Sequence, residues 1–234
     1  MEMSVEFLVK NIYKCYTNAD ALSRTEGIIW YQEAHLLAKE IAEEFGLTIE
    51  QTSLIIAALS PRNSWEKNKT NAYDFIYRIS NHYTTFPGMM KTCTDKCASI
   101  YYNKDLQTAD DRVSFPTFMW ETNPLNKASI LGSKSYKTKA FARTIFDPRN
   151  SHDDVVVDTH AINIANGFWQ FRGKEHNKVF SNWEAYELYS KAYRVAAEWL
   201  ETPVQVVQAV TWCAWRRQLS KYRKSYYESK KGAN

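Results

Sequence analysis

Residues that end helices are scarce in this chain. Its 234 residues include only seven glycines and six prolines, so long stretches lack a helix breaker. Aromatic residues make up 15% of the chain, and such an apolar composition excludes a disordered protein. No pair of segments alternates as neighbouring strands do, and Val155–Val157 is too short to form a sheet alone. The sequence therefore predicts an all-α fold.

Features of several other protein classes are also missing. The four cysteines, Cys93 and Cys97 among them, are too few for a disulfide framework and lack the further ligands of a metal site. No apolar run reaches the length of about eighteen residues that a membrane-spanning helix requires. The acidic start, residues 1–6, has no cationic segment of a signal peptide. We expect a cytoplasmic protein without a metal, a cofactor or a membrane partner.

Positive charge is concentrated near the end of the chain. The formal net charge is +4, yet residues 216–234 hold seven lysines and arginines against one glutamate, so the preceding residues are slightly acidic. Arg216, Arg217 and the cations that follow are interleaved with tyrosines, a combination that suits a nucleic-acid backbone and its bases. A solvated terminal helix is the alternative interpretation of such a basic tail.

Apolar residues recur at helical spacing in several segments. Ile49–Leu59 is apolar nearly all round, which predicts a buried central helix, and Thr48 with Gln51 forms a capping box at its start. Thr202–Gln205 predicts a second capping box. Residues 80–115 predict only short helices and loops. The other predicted helices are Trp30–Phe45, Glu66–Ile79, Pro124–Leu131, Lys137–Phe146, a helix from Asp158 to Gly167, residues 181–200, and a last helix with Trp215 near its end.

The segment Val157–His160 places an acid, a hydroxyl and an imidazole in succession before a predicted helix. An aspartate between an apolar run and a helix is held in a fixed position, as a catalytic acid or base must be. Asp158 is therefore the first candidate for a catalytic residue. An aspartate before a helix is also a common N-cap, whose side chain accepts a hydrogen bond from the first turn. Thr159 and His160 are expected to be structural.

Three elements, taken in order, carry a resemblance to a known family. A buried helix ends in the loop Ser60–Trp65, a helix–turn–helix unit spans about Pro124–Phe146, and Val157–His160 follows. This order resembles the helix-hairpin-helix DNA glycosylase superfamily, the endonuclease III-like fold, over roughly residues 29–170. The resemblance implies a two-lobed helical bundle, residues 1–215, with a cleft between the lobes. Residues 216–234 would follow it as a basic, tyrosine-rich tail.

The same resemblance implies roles for particular residues. Asp158 matches the catalytic carboxylate, and Lys137 falls near the lysine of the members that cleave abasic sites. Arg62 and Asn63 fall on the loop that pushes into DNA. The hairpin that grips a phosphate corresponds to Gly132–Tyr136. Within it, Gly132, Lys134 and Tyr136 are candidate DNA contacts.

The hairpin is also where the chain departs from the family. Lys134 stands where a second glycine is usual, so a point charge would replace backbone groups in gripping a phosphate. No four-cysteine cluster follows. These departures favour a divergent branch, encoded by bacteriophages with hypermodified thymine, which is described as transferring an amino acid or polyamine to pyrophosphorylated 5-hydroxymethyluracil in DNA. The expected partners are then double-stranded DNA with a flipped base and a small amine.

Two other functions remain open on the sequence. The first is base excision by a DNA N-glycosylase, with or without lyase activity at the abasic site, in which Lys137 would attack the sugar carbon. The second is a DNA-binding relative without catalytic activity.

Overall fold

The computed structural model describes residues 4–103, 131, 135–149, 153–167 and 174–231, without the side chains of residues 174, 175 and 222–231. Every regular element in these ranges is a helix, which confirms the predicted all-α class. The predicted helix Pro124–Leu131 lies outside the described residues except for Leu131 itself. The helices are α1 (Val5–Thr17), α2 (Ala21–Phe45), α3 (Ile49–Leu59), α4 (Trp65–Ser80), α5 (Lys91–Tyr101), α6 (Tyr136–Phe146), α7 (Thr159–Asn166), α8 (Lys174–Ser181), α9 (Trp183–Trp199) and α10 (Val204–Lys231).

The chain divides into two compact units. One consists of Met1–Tyr31 together with His152–Asn234, and we call it the terminal unit. The other consists of Gln32–Ser151, and we call it the central unit. In the part of the chain that the structure describes, no helix has both the length and the apolarity needed to cross a membrane.

The central unit is organised around α3, as the apolar pattern of that helix predicts. The residues from Glu50 to Leu59 are all buried, and α4, α5 and α6 pack against the helix. The predicted capping box is confirmed, since Thr48 and Gln51 bond to each other's backbone N–H. The Gln51 amide also donates to the carbonyl oxygens of Ile100 and Tyr101, both at 3.3 Å. This buried glutamine therefore fixes the start of α3 against the end of α5.

The terminal unit is built on α1, which packs against α7, α9 and α10. Its core includes Leu8 and Ile12 of α1 and Tyr193 of α9, all fully buried. Gly27 permits a close approach to α10, because a Cβ added there would lie only 2.4 Å from the Cα of Val210. A side chain at this position would collide with backbone, so the contact requires glycine.

Several helix boundaries differ from the prediction. Helix α1 was not predicted, and α2 begins at Ala21 rather than near Trp30. The predicted second capping box is wrong, because α10 begins at Val204 and its first backbone bonds are accepted by the carbonyl of Pro203, so Pro203 and not Thr202 is the N-cap residue. That helix also continues past Trp215, so residues 216–231 of the basic tail are its C-terminal part.

Candidate functional site

The segment Val155–Val157 brings the chain to Asp158 through two tight turns, in which the Val157 N–H donates to the Val155 carbonyl and the Asp158 N–H donates to the Val156 carbonyl, both at 3.0 Å. The three valines are buried, so their backbone groups need hydrogen bonds from within the protein. Tyr186 of α9 supplies two of them: its hydroxyl donates to the Val155 carbonyl at 2.8 Å and accepts from the Val157 N–H at 3.2 Å. Burial raises the pKa of Tyr186 far above its usual value, so the hydroxyl stays protonated and able to donate. This tyrosine therefore fixes where α7 begins.

Asp158 is the N-cap of α7, as its sequence position allowed. Its Oδ1 accepts a hydrogen bond of 2.7 Å from the Ala161 N–H in the first turn. Its Oδ2 accepts a second one, of 3.2 Å, from the indole Nε1 of Trp212 in α10. A cap needs only the first bond. The bond from Trp212, which lies 54 positions further along the chain, holds the carboxylate in one orientation.

Trp212, which donates to this carboxylate, contacts further aromatic and cationic side chains of the terminal unit. The ring of Trp212 lies edge-on to the ring of Trp30, with 5.8 Å between their centroids, and edge-on to the imidazole of His160 at 6.3 Å. The guanidinium of Arg216 lies 4.6 Å from the centroid of Trp212, one helical turn away. We call these five residues the Asp158 cluster. It combines an oriented acid, aromatic faces and an exposed cation.

A buried tyrosine adjoins the Asp158 cluster. Tyr31 donates through its hydroxyl to Oε1 of Gln208 at 2.8 Å, and the Gln208 amide donates to the carbonyl oxygen of Val156 at 3.5 Å. Burial, and then the negative charge of Asp158, raise the pKa of Tyr31 well above its usual value. The phenol is therefore neutral at physiological pH. Tyr186 directly, and Tyr31 through Gln208, therefore hold the segment before Asp158 in place by hydrogen bonds.

His160 keeps one ring nitrogen without a partner. Its Nδ1 is buried and makes no hydrogen bond within the described part of the chain. The expectation that this histidine is structural stays a prediction. Trp212 was not predicted as a site residue at all. The spacing of Trp212 and Arg216, four residues apart on a helix, was a readable signal for their contact.

The predicted DNA contacts on α10 differ in their surroundings. Arg216 is exposed. Arg217 is partly buried and forms an ion pair with Glu26 of α2, and this hydrogen bond raises the pKa of the arginine. Of these two cations, Arg216 has its charge on the surface of the terminal unit.

Other predicted residues lie together in the central unit. The Lys137 amine, on α6, donates to the Ser60 hydroxyl at the end of α3, with 3.4 Å between the heavy atoms. Two residues after Ser60, the backbone of Arg62 is left-handed, with a φ of 62°. The side-chain amide of Asn63 donates to the Leu59 carbonyl at 2.7 Å. The structure thus brings Lys137 to the predicted DNA-contacting loop.

Tyr136 is the first residue of α6 and is half-buried. Gly132 and Lys134, the remaining hairpin residues predicted to contact a phosphate, lie outside the described residues. Across the ranges that are described, no group of three or more histidine, cysteine, aspartate or glutamate side chains has the arrangement of a metal site.

A buried amine in α6, that of Lys139, was not predicted from the sequence. Lys139 is only 6% exposed, and its Nζ has no hydrogen-bond partner in the described structure. Burial lowers the pKa of this lysine, and the positive charge of Arg143, one turn later, lowers it further. Its neighbour Lys137, predicted from the resemblance, is instead half-buried and hydrogen-bonded to Ser60.

The fold and the site together define an all-helical protein with a rigidly held carboxylate beside aromatic side chains. The chain belongs to a family described as a family of unknown function (DUF7178), which it matches over residues 1–113 and 116–219. These ranges include Asp158, Trp212 and Arg216 as well as Arg62 and Lys137. No curated protein and no solved structure matches the chain.

Proposed function

We propose that this protein is an enzyme that acts on a base in DNA, with Asp158 as its catalytic carboxylate. The observation that carries the proposal is the pair of hydrogen bonds that Asp158 accepts from Ala161 and Trp212. Among the described residues each carboxylate oxygen accepts one hydrogen bond, and such an oxygen can accept two. A carboxylate fixed from two sides is preorganised to accept a proton in one direction, as general base catalysis requires.

The surroundings of Asp158 suit a base and its phosphates. Trp30 and Trp212 are half-buried, and aromatic faces of this kind stack on bases with little dependence on sequence. Arg216 is exposed beside Trp212 and suits a phosphate oxygen. The all-helical class, and the order of the loop, the α6 region and Asp158 along the chain, support a glycosylase-like scaffold as part of the proposal.

The particular reaction we propose is amine transfer to an activated 5-hydroxymethyluracil in DNA. The amine nitrogen bonds to the exocyclic methylene carbon of the base, and the bond from that carbon to the pyrophosphate oxygen breaks. Pyrophosphate leaves with the bonding electrons, and Asp158 accepts the proton from the amine nitrogen. Arg216, which lies beside Trp212 in the same unit as Asp158, would offset the charge of the leaving phosphates. The sugar–base bond is not cut in this reaction.

The test uses duplex DNA that contains pyrophosphorylated 5-hydroxymethyluracil, incubated with the protein and a mixture of amino acids and polyamines. Mass spectrometry of the nucleosides then distinguishes the candidate reactions. A thymidine carrying a new amino substituent, with release of pyrophosphate, is the expected result. Abasic sites and free base would refute transfer and establish excision. Intact starting nucleosides, with DNA bound, would leave only a binding protein.

A further inference from the structure

A pocket of about 250 Å³ lies in the central unit beside the loop that follows α3. The pocket shares no residue with the Asp158 cluster, because all of its lining residues belong to Gln32–Ser151. The residues that determine its chemistry are Arg62, Asn63, Asn71, Met89, Met90 and Cys93. No acidic residue is among those that line it.

Asn71 gives the pocket a hydrogen-bond donor without a partner. This residue of α4 is 2% exposed, and its Nδ2 makes no hydrogen bond within the described residues. A buried amide left without a partner destabilises the folded protein. A ligand oxygen bound in the pocket would satisfy it. Asn71 therefore indicates an acceptor group on the ligand.

Arg62 adds a positive charge at the same pocket. Its side chain is exposed, and its backbone has a φ of 62°, a conformation that residues other than glycine, asparagine and aspartate seldom adopt. Strained backbone of this kind persists where the surrounding structure holds it, and it is common at binding sites. Without a neighbouring carboxylate in the lining, this guanidinium favours an anionic group on the ligand.

The remaining wall of the pocket is apolar. Met89 and Met90 come from the turn before α5, and Cys93 is 7% exposed. Burial raises the pKa of the Cys93 thiol, so it is neutral and does not repel an anion. Thioether side chains adapt to ligands of varied shape. An inorganic phosphate would leave this wall without a contact, whereas an organic anion with an apolar body would cover it.

We propose that this pocket binds a small organic carboxylate, whose charged group contacts Arg62 and Asn71 while its apolar body packs on Met89 and Met90. α-Amino acids belong to this class. The proposal that the pocket binds a carboxylate is independent of the function proposed above. The idea that an amino acid bound there is the amine donor rests on that function.

Nuclear magnetic resonance of the full chain, with carbon-13 in the methionine methyl groups, tests this directly. The chain has five methionines, and the resonances of the two in the pocket are assigned with Met89→Leu and Met90→Leu variants. The probe is 4-methylpentanoate, and 4-methylpentanamide is the uncharged molecule of the same shape. We expect the carboxylate to shift the Met89 and Met90 resonances in a saturable way, with a Kd of about 1 mM or tighter. We expect the amide to bind at least roughly tenfold more weakly.

Two variants make the test specific to the pocket. Arg62→Gly removes the charge and relieves the left-handed backbone, so the protein should fold and lose carboxylate binding by roughly tenfold or more. His82→Gly is the matched control, because His82 has the same φ of 62° and does not line the pocket. Its binding should equal that of the wild type. The proposal is overturned if the carboxylate shifts neither methionine, if the amide binds equally well, or if Arg62→Gly binds like His82→Gly.

L-Leucine, tested in the same way, separates this proposal from the proposed reaction. Binding of leucine supports the pocket and makes it a candidate site for an amino-acid donor. Binding of 4-methylpentanoate without binding of leucine still establishes a carboxylate site, but excludes it as the donor site for amino acids of this size. Neither result depends on DNA or on turnover.

Discussion

Replacing Lys139 by methionine should stabilise the protein at neutral pH. The lysine is 6% exposed and its Nζ has no hydrogen-bond partner in the described structure, so the amine is either charged without compensation or forced to lose its proton. Methionine keeps a long, unbranched side chain with a similar helix propensity. Exchanging buried ionic groups for apolar ones often gains about 1–4 kcal/mol. With one unpaired amine, we expect a gain of about 2 kcal/mol in the free energy of unfolding.

The gain should depend on pH in a defined direction. The folded-state pKa of Lys139 is lowered from 10.5, so the unfolded chain holds the proton over a range in which the folded protein has released it. The wild type therefore gains stability from this group as the pH rises from the folded pKa toward 10.5. The difference between Lys139→Met and wild type should be largest below the folded-state pKa of Lys139 and should shrink toward pH 10.5. Taking the difference cancels the titration of the buried tyrosines.

Urea denaturation of both proteins between pH 7 and 10, followed by circular dichroism, measures this difference. Lys191→Met is the control, because Lys191 lies exposed on α9 and its loss should change stability by less than about 0.5 kcal/mol. A Lys139→Met variant that is less stable than wild type at pH 7 would show that the amine has a favourable partner. A gain that does not shrink at high pH would show that the lowered pKa is not its cause.

Four further substitutions at three positions test the supports of the terminal unit, each by urea denaturation at pH 7. Asp158→Ala removes both the cap bond and the acceptor of Trp212, and should lower the free energy of unfolding by about 2–4 kcal/mol. Asp158→Asn keeps the cap bond and should lower it by about 1–2 kcal/mol. Equal losses in the two variants would contradict the role of Asp158 as a cap. Gly27→Ala should cost about 2–4 kcal/mol through its collision with Val210, and a stabilised variant would contradict that contact. Tyr186→Phe removes one of the two hydrogen bonds of the Val155 carbonyl and of the Val157 N–H, which stay bonded to each other at 3.0 Å, and should cost about 1–2 kcal/mol, so a neutral result would contradict the contribution of this hydroxyl.

Features that depend on neighbours in sequence were predictable. The Thr48–Gln51 box and the cap at Asp158 each involve residues three positions apart, and both are present. The start of α1 was readable in the same way, because Ser4 caps it and Leu8 and Ile12 share a face. The box expected at Thr202 is not formed because the helix begins one residue later than expected, with Pro203 as its N-cap.

Features that depend on tertiary contacts could not be predicted from residues that are close in sequence. Periodicity shows which face of α10 is buried, but not that Trp212 meets Asp158, 54 positions away. Ala140, Phe141 and Ile145 of α6 are buried, as apolar residues at helical spacing are expected to be, but no sequence pattern indicates that Lys139 is buried as well. The left-handed backbone of Arg62 was equally hidden, since glycine is the residue that usually signals it.

The most direct test of Asp158 as a catalytic carboxylate compares amine transfer to activated 5-hydroxymethyluracil in DNA by wild type, Asp158→Asn and Asp153→Asn. Asparagine at 158 keeps the cap and removes the charge, and the control removes the same charge from an exposed residue five positions earlier. We predict that Asp158→Asn folds and transfers the amine about 10²–10⁴-fold more slowly, while Asp153→Asn matches the wild type. A folded Asp158→Asn protein with the wild-type rate would reduce Asp158 to a helix cap and contradict the proposed function.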